Sequence, residues 1–189
     1  DLAILDKIAH YGDGNTFIRF PAADTITAET SGSERIRIDS SGRLLVGTAT
    51  ASTAGNSQYS KFEVSGNTSG TTSAGHLSIK RGVAVGSLSN GDTLGRLIFS
   101  GLDGGDFAYI QAAVDAAPGS NDYPGRMMVF LGTDNSGSPV ERLRIDSNGL
   151  ITPGSNNSQS IGSGTNNFAS IWASTRFRGN DNVKLVLGN

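Results

Sequence analysis

ERIRIDSSGRLLVG, which runs from Glu34 to Gly47, is the most informative stretch of this sequence, and it returns as ERLRIDSNGLITPG from Glu141 to Gly154. In both copies apolar residues alternate with arginine, a turn sequence follows, and extended chain continues after the turn. An alternation of period two puts one row of side chains on a core and leaves the other row in water. The repeat therefore predicts a strand, a tight reversal and a second strand, twice in the chain.

The two faces of these predicted strands differ in chemistry. The rows expected on the core hold branched apolar residues, namely Ile36, Ile38, Leu143 and Ile145. The opposite rows hold four arginines, namely Arg35, Arg37, Arg142 and Arg144. We expect these arginines to lie in water and to pair with Glu34 or Glu141, and contact with anionic sugars is the alternative.

The turn of each copy has residues suited to a tight reversal. Asp39 and Asp146 can accept hydrogen bonds from the backbone that follows them, and Gly42 and Gly149 can adopt positive φ. A role in the turn is sufficient to explain both aspartates, so the sequence does not require them to act as catalytic acids.

Composition narrows the class of protein. The 189 residues have a formal net charge of -2 and no cysteine, so the sequence predicts neither a nucleic-acid footprint nor a disulfide framework. No apolar run reaches the roughly 20 residues of a membrane span, and we expect no membrane insertion. Because the chain does not begin with Met, we expect it to be part of a longer or processed polypeptide.

Glycine is abundant and bulky residues are few. The 26 glycines stand against 8 Phe, 4 Tyr and 1 Trp, a composition typical of a β-rich protein with many turns. Such a chain has little apolar surface with which to build a core of its own. We therefore expect a symmetric homo-oligomer whose core is partly shared between copies.

Further alternating segments predict an all-β fold of short antiparallel strands. The segments expected to be strands are 16–20, 24–30, 61–65, 76–81, 94–100, 107–113, 126–132 and 181–188, with Leu77 and Ile79 facing inward in the fourth. Residues 2–12 suit either a short helix or extended chain, and residues 48–60 a loop. The predicted domains are an N-terminal β segment (1–60), a central antiparallel domain (61–150) and a β-helical, stalk-like segment (151–189).

Several of these segments carry a family resemblance. GDTLGRLIF, PGSNDYPGRMMVF and PVERLRIDSNG, within Gly91–Gly149, resemble a segment that recurs in tail fibres of bacteriophages, cyanophages especially. IRFPAADTITAETSGSERIRIDSSGRLLVGT, at 18–48, is similar to other parts of such fibres. SQSIGSGTNNFASIWAS, at 158–174, resembles repeats that often precede a self-cleaving intramolecular chaperone of the endosialidase type. No such chaperone is recognisable within the 189 residues, and it stays open whether one is cleaved off, lies beyond this sequence or never existed.

The resemblance implies an elongated, intertwined homotrimeric fibre in the tail of a virion. Its implied partners are further copies of itself, other tail or baseplate proteins, and a glycan or protein receptor on the host surface. The implied function is structural, with host attachment by multivalent display on a trimeric rod. A shaft or baseplate-linking segment without a ligand is the alternative, and a polysaccharide depolymerase a more distant one.

Residues that carry chemistry are sparse, and we predict no enzyme, no catalytic residue, no cofactor and no metal. Asp103 and Asp106 in the sequence GLDGGD lack the spaced ligands of a calcium loop, and a solvated turn explains them. His10 and His76 have no catalytic or metal-binding spacing around them.

The predicted receptor contacts are aromatic and polar residues in or near loops. Because the face of an aromatic ring stacks on a sugar, the sequence predicts receptor contacts at Tyr109, Tyr123 and Asp122. Phe168 and Trp172 are expected to pack on the fibre axis instead.

Overall fold

A computed structural model of the chain describes residues 3–66 and 74–156, together with positions 160, 161, 163, 165, 166 and 168. These residues form eleven β-strands in two sheets, and two short 3₁₀ turns lie at Asn56–Tyr59 and Val85–Ser87. The all-β prediction is confirmed. Contacts divide the chain into two units, Asp1–Ser78 and Ile79–Asn189. No helix in the described ranges is both long enough and apolar enough to cross a membrane.

The first unit contains a six-stranded sheet whose order follows the chain, β1-β2-β3-β4-β5-β6. Its strands are β1 (Lys7–Ala9), β2 (Phe17–Arg19), β3 (Ile26–Thr30), β4 (Ser33–Ile38), β5 (Leu44–Val46) and β6 (Phe62–Val64). The first five strands are antiparallel, and β6 pairs with β5 in parallel. The parallel pair departs from the antiparallel expectation because the long loop at 48–60 returns the chain to the start of the same edge.

The second unit contains a five-stranded antiparallel sheet in the order β11-β10-β9-β8-β7. Its strands are β7 (Thr93–Ser100), β8 (Asp106–Val114), β9 (Gly125–Leu131), β10 (Val140–Ile145) and β11 (Ile151–Pro153). Each strand is therefore hydrogen-bonded to the next one in the chain, as short turns such as GLDGGD predict. The strands predicted at 94–100, 107–113 and 126–132 correspond to β7, β8 and β9.

The two sequence repeats fold into the same hairpin, β4–β5 in the first unit and β10–β11 in the second. In each turn the aspartate Oδ1 accepts hydrogen bonds from the amides two and four residues further on, at 2.9 to 3.0 Å. The turn glycines have φ of 69° at Gly42 and 78° at Gly149. The predicted turn chemistry is confirmed in both copies.

Each repeat also contains a β-bulge that the alternation does not reveal. Glu34 pairs with Glu29 and Ile36 with Ala28, so Arg35 is an extra residue in β4. In β10, Arg142 has the same place, since the register shifts between Glu141 and Leu143. In a regular strand residues i and i+3 point to opposite faces, and the extra residue brings them to the same face.

The bulge explains how the glutamate of each repeat reaches its second arginine. Arg37 donates two hydrogen bonds to Glu34, at 2.7 and 2.6 Å, and Arg144 donates two to Glu141, at 2.8 and 2.8 Å. The predicted pairing is thus confirmed for Arg37 and Arg144. The plain alternation predicted that Arg35 and Arg37 share one row, but the bulge separates them. The Nε of Arg35 donates a hydrogen bond to the Thr30 hydroxyl instead.

Each sheet has one apolar face that the described chain leaves largely bare, and on the second sheet Ile79 lies against this face at Gly95. The strand register puts the following large side chains on this face in the first unit, where they are 37 to 51% exposed: Ile8, Ile18, Ile26, Ile36, Ile38, Leu44 and Phe62. In the second unit the corresponding side chains are 37 to 63% exposed: Leu97, Phe99, Ile110, Met127, Leu131, Val140, Leu143, Ile145 and Ile151. We call these the bare apolar faces.

The expectation that the apolar rows of the repeats lie on a core is therefore not met within one copy of the chain. Ile36 and Ile38 are 43 and 42% exposed, so neither is buried within one copy of the chain. The buried apolar side chains of the described residues are few, namely Leu45, Ala113, Val114 and Met128. The apolar stripes are present as predicted, but the described part of one chain leaves them largely uncovered.

One predicted strand, at 76–81, is wrong, and another, at 181–188, lies outside the described residues. Residues 76–81 are extended but pair with no strand, and Leu77 and Ile79 are 67 and 52% exposed rather than inward. Alternation indicates extended chain, while strand formation also needs a free neighbouring edge. In the segment 2–12, of which residues 3–12 are described, Lys7–Ala9 forms strand β1 and the described residues contain no helix. The predicted strand at 181–188 and Trp172 lie outside the described residues, and Phe168 is 62% exposed.

The predicted division at residues 60 and 150 stays a prediction. Strand pairing places β6 with the first unit and β11 with the second.

Candidate receptor-contact surface

The face of the second sheet that lies opposite its bare apolar face is polar and aromatic, and we call it the polar face. Cross-strand pairing aligns Arg96, Gln111, Met128 and Arg144 in one row across strands β7 to β10. The neighbouring row contains Ile98, Tyr109 and Phe130. Directly paired side chains on one face lie close enough to contact each other, so the two rows form a connected surface.

Tyr109 lies in the middle of this face rather than at an exposed tip. Its ring stacks on that of Phe130, with centroids 4.4 Å apart and planes 21° from parallel. On its other side the Arg96 guanidinium lies 4.8 Å from the Tyr109 centroid. Since β7 and β9 flank β8, both faces of the Tyr109 ring are covered, and its edge and hydroxyl are the parts left for a ligand.

Arg96 is held by a neutral partner. Its Nε donates a hydrogen bond of 2.6 Å to Oε1 of Gln111, whose residue is only 7% exposed. Arginines on the same face are compensated by carboxylates: Arg126 by Asp115 at 3.1 Å and Arg144 by Glu141 at 2.8 Å. Among the described residues no carboxylate lies within salt-bridge distance of Arg96, so its positive charge faces water uncompensated.

Asp115 joins the end of β8 to the turn of the second repeat. Its Oδ2 accepts a hydrogen bond of 2.8 Å from the Ser147 amide, while its Oδ1 contacts Arg126. The Ser147 backbone bond is the largest cause that lowers the pKa of Asp115 below its usual value, and Arg126 adds to it. Arg126 also reaches the Asn90 side chain at 3.3 Å.

Tyr123 and Asp122 lie in the loop between β8 and β9. Gly119 and Asp122 form an isolated bridge, and Asn121 at its apex has φ of 55°, so the loop is a closed turn. Tyr123 is 69% exposed at the rim of a cleft of about 180 Å³. The cleft is lined by apolar residues, including Val85, Leu88, Pro118 and Pro124.

The predicted contacts therefore fall in two places. Tyr109 pairs with Phe130, whereas Tyr123 lies beyond the pair Val114–Gly125, five positions further along β8. At roughly 3.3 Å per residue this is about 16 Å, too far for both rings to contact one monosaccharide.

The GLDGGD turn lies at the other end of the same sheet. Asp106 accepts a hydrogen bond of 2.7 Å from the Ser100 hydroxyl. The turn borders an open hollow of about 420 Å³ that the loop at 132–137 completes. Within the described ranges no group of three or more His, Asp or Glu side chains is placed to hold a metal ion.

Sequence reasoning missed the Arg96–Gln111 pair. Both residues lie on strands that the sequence predicts. The sequence does not predict which residue of β7 pairs with which residue of β8. Two bulges shift that register, one between Thr93 and Gly95 and one between Phe99 and Ser100.

Comparison with known proteins identifies a similar fold. No protein-family model and no curated protein sequence matches the chain. The fold is similar to a structure of the carboxy-terminal domain of the bacteriophage T5 L-shaped tail fibre with its intramolecular chaperone domain, with a TM-score of 0.51 and 14% sequence identity. The match covers 96% of this chain and 56% of that chain.

A second structure of the T5 carboxy-terminal domain has a TM-score of 0.48 and 14% identity, and the match covers 90% of this chain and 77% of that chain. At 14% identity the likeness to the first T5 structure concerns the fold, and it shows that the all-β architecture described above also occurs in a phage tail fibre.

Proposed function

We propose that this chain is a structural component of a phage tail fibre, of cyanophage-like type, that contributes to host-cell attachment. In this proposal it is a non-enzymatic protein located in the virion tail. It assembles as an intertwined homotrimer, joins other tail or baseplate proteins, and displays its receptor contacts in several copies on a rod. The fold shared with the T5 fibre supports the proposal.

The bare apolar faces are the observation that carries the proposal. On the second sheet, nine large apolar side chains each 37 to 63% exposed leave an apolar patch on the order of 700 Å². The largest patch on a typical soluble monomer is roughly 300–600 Å², whereas a stable interface buries roughly 800 Å² per partner. A second patch of the same kind lies on the first sheet.

A further copy of the chain is the partner proposed for these faces. Copies related by symmetry present the same apolar stripe to each other, and each can supply the core that the others lack. The threefold order is taken from the resemblance to tail fibres. Repetition of a weak contact on one rigid particle raises its overall avidity without any new contact.

The proposed receptor contacts are Tyr109, Tyr123 and Asp122, with a host glycan or a host protein as the receptor. Tyr123 offers an exposed ring beside an apolar cleft, which suits the apolar face of a sugar. Tyr109 offers its hydroxyl and ring edge, and the stack with Phe130 keeps its position rigid.

Two measurements test the proposal. Sedimentation equilibrium should give a mass of three chains, and the labelled protein should adsorb to some members of a panel of bacterial cells. A compact monomer would overturn the fibre assignment. A trimer that adsorbs to no cells and no glycans would favour a shaft without a ligand, a reading supported by the many charges already paired within the chain.

Incubation with host polysaccharide tests the remaining alternative, a polysaccharide depolymerase. A non-enzymatic fibre leaves the amount of reducing sugar unchanged, whereas a depolymerase increases it with time.

A further inference from the structure

Arg96 differs from most described arginines because its partners are a neutral amide and an aromatic ring. Six described arginines each lie within 4 Å of a carboxylate, namely Arg19, Arg37, Arg43, Arg81, Arg126 and Arg144. Arg35 and Arg142 have no salt bridge among the described residues either, but neither of them lies over an aromatic ring there. Arg96 instead has an amide oxygen at 2.6 Å and an aromatic ring at 4.8 Å, and both are neutral. A guanidinium fixed by neutral partners keeps its full positive charge for a ligand.

The two partners of Arg96 also restrict its orientation. Gln111 binds Nε, so the two Nη groups at the far side of the guanidinium are not engaged by any hydrogen bond in the described residues. The Tyr109 ring lies against the guanidinium, with Cζ 4.8 Å from the ring centroid, and is itself stacked on Phe130. Less side-chain entropy is lost on binding when the cation is already oriented in this way.

The neighbouring carboxylates do not compete for Arg96. Glu141 on the same face binds Arg144 through two hydrogen bonds, and Asp115 binds Arg126 and the Ser147 amide. The electrostatic potential over this part of the polar face is therefore positive at Arg96, and the charges around Arg96 neutralise one another.

We propose that Arg96 and Tyr109 form an anion-recognising site for an acidic sugar, in which the Arg96 Nη groups bind a carboxylate or a phosphate and the Tyr109 hydroxyl binds a sugar oxygen. This inference deepens the proposed function, on which it rests, by naming the ligand class as acidic saccharide. A uronic acid and a sugar phosphate are the two sources of such an anion, since the fork of a guanidinium suits both groups.

Three variants with the same change in net charge test the site. Arg96→Gln removes the cation, and Gln111→Glu places an internal carboxylate where the amide oxygen now accepts the Nε hydrogen bond. Lys80→Gln removes an exposed positive charge of the same unit that lies outside the sheet. Each lowers the net charge by one, so an effect of net charge alone is the same in all three.

The probes are trigalacturonate, its methyl ester and glucose 6-phosphate, with binding to the assembled wild-type protein measured by saturation-transfer NMR and titration. We expect trigalacturonate or glucose 6-phosphate to bind and the ester not to. Arg96→Gln and Gln111→Glu should weaken the binding at least about tenfold, as loss of a charge-assisted hydrogen bond predicts, and Lys80→Gln should leave it unchanged. Which of the two acidic probes binds identifies the source of the anion.

Equal binding of the ester, or equal loss in all three variants, would overturn the site. Sedimentation and circular dichroism of each variant show that assembly and fold are retained, and Gln111→Glu keeps Arg96 in place should Arg96→Gln fail to fold. Cell adsorption distinguishes a failure of the Arg96 site from a failure of the proposed attachment function. If wild type and Arg96→Gln adsorb equally, the site is wrong while attachment stands. If no cells are bound but trigalacturonate is, the site stands and attachment is wrong.

Discussion

In each repeat one glycine determines how closely the backbone segments can approach each other. Gly47 and Gly154 occupy the same position in the two hairpins, and each donates its amide to the carbonyl of the bulge arginine, at 3.0 and 3.1 Å. A Cβ at Gly154 would contact the Glu141 carbonyl, and a Cβ at Gly47 the Ser65 carbonyl. At this scale the repeat depends on backbone space more than on side-chain packing.

Replacement of Gly154 by alanine should therefore destabilise the second hairpin. The added methyl group meets backbone that cannot rotate away, and we expect a loss of about 1–3 kcal/mol in the free energy of unfolding. Thermal and urea unfolding measure it. Gly137→Ala is the matched control, since a Cβ there meets nothing within 4 Å, and it should change stability by less than about 0.5 kcal/mol. Equal stability of the two variants would contradict the steric argument.

Asp115 predicts a dependence of stability on pH. Its pKa is lowered in the folded chain by the Ser147 amide and by Arg126, so its charged form is favoured by folding. The stabilisation is complete above the ordinary aspartate pKa, near about 4, and is lost as the pH falls through the lower folded value. Urea midpoints from pH 7 to pH 2 should therefore fall less steeply in Asp115→Asn than in wild type. Parallel curves would show that this carboxylate does not contribute.

At the scale of the element, the repeat is a hairpin with a bulge, and its charged pair depends on the extra residue. The alternation of ERIRID predicts two arginines on one face, but the bulge removes Arg35 from that row and lets Glu34 meet Arg37. The second repeat has the same arrangement in a different sheet. The same local sequence thus forms the same local structure in two tertiary settings.

A double-mutant cycle on Glu141 and Arg144 measures the contribution of this pair. The pair is bidentate and partly shielded, with side chains 17 and 34% exposed, so we expect a coupling of about 1 kcal/mol rather than the near-zero value of a solvated pair. The variants are Glu141→Gln, Arg144→Gln and the double variant, compared by urea unfolding. A coupling energy of zero would mean that the bulge positions the pair without stabilising the hairpin.

At the scale of the whole molecule, each sheet separates its chemistry between two faces. One face has charges paired within the chain, and the other has large apolar side chains in contact with water. Adjacent residues of β7 show the contrast, since Leu97 lies on the bare apolar face and Ile98 on the polar face, with exposures of 50 and 46%. They differ in the face they occupy and hardly in their burial within one chain.

This contrast provides a direct test of the proposed assembly. Leu97→Asp should reduce the sedimenting mass to that of a single chain or lead to aggregation, because it puts a charge into the interface between copies. Ile98→Asp introduces the same charge at nearly the same exposure and should leave the assembly intact. If both variants keep the assembled mass, the bare apolar face of the second sheet is not the interface.

Much of the strand content followed from the residues alone. Period-two alternation and turn residues located β7 to β10 and both repeats, because these signals act over a few neighbouring residues. The same signal failed at 76–81, where Leu77 and Ile79 alternate with polar residues but find no edge with which to pair. Tyr109 was likewise recognisable as a candidate, while its stack between Arg96 and Phe130 was not.

The amino-acid order therefore sufficed for the all-β class, for the two hairpins and for the shortage of core-forming residues, since each depends on local pattern or on composition. Tertiary structure alone decided the bulges, the parallel pairing of β6, the approach of Gln111 to Arg96 and the exposure of the apolar faces. These features arise where strands distant in sequence meet in a particular register. That register is set by the sum of many weak cross-strand contacts, none of which is visible within a single segment.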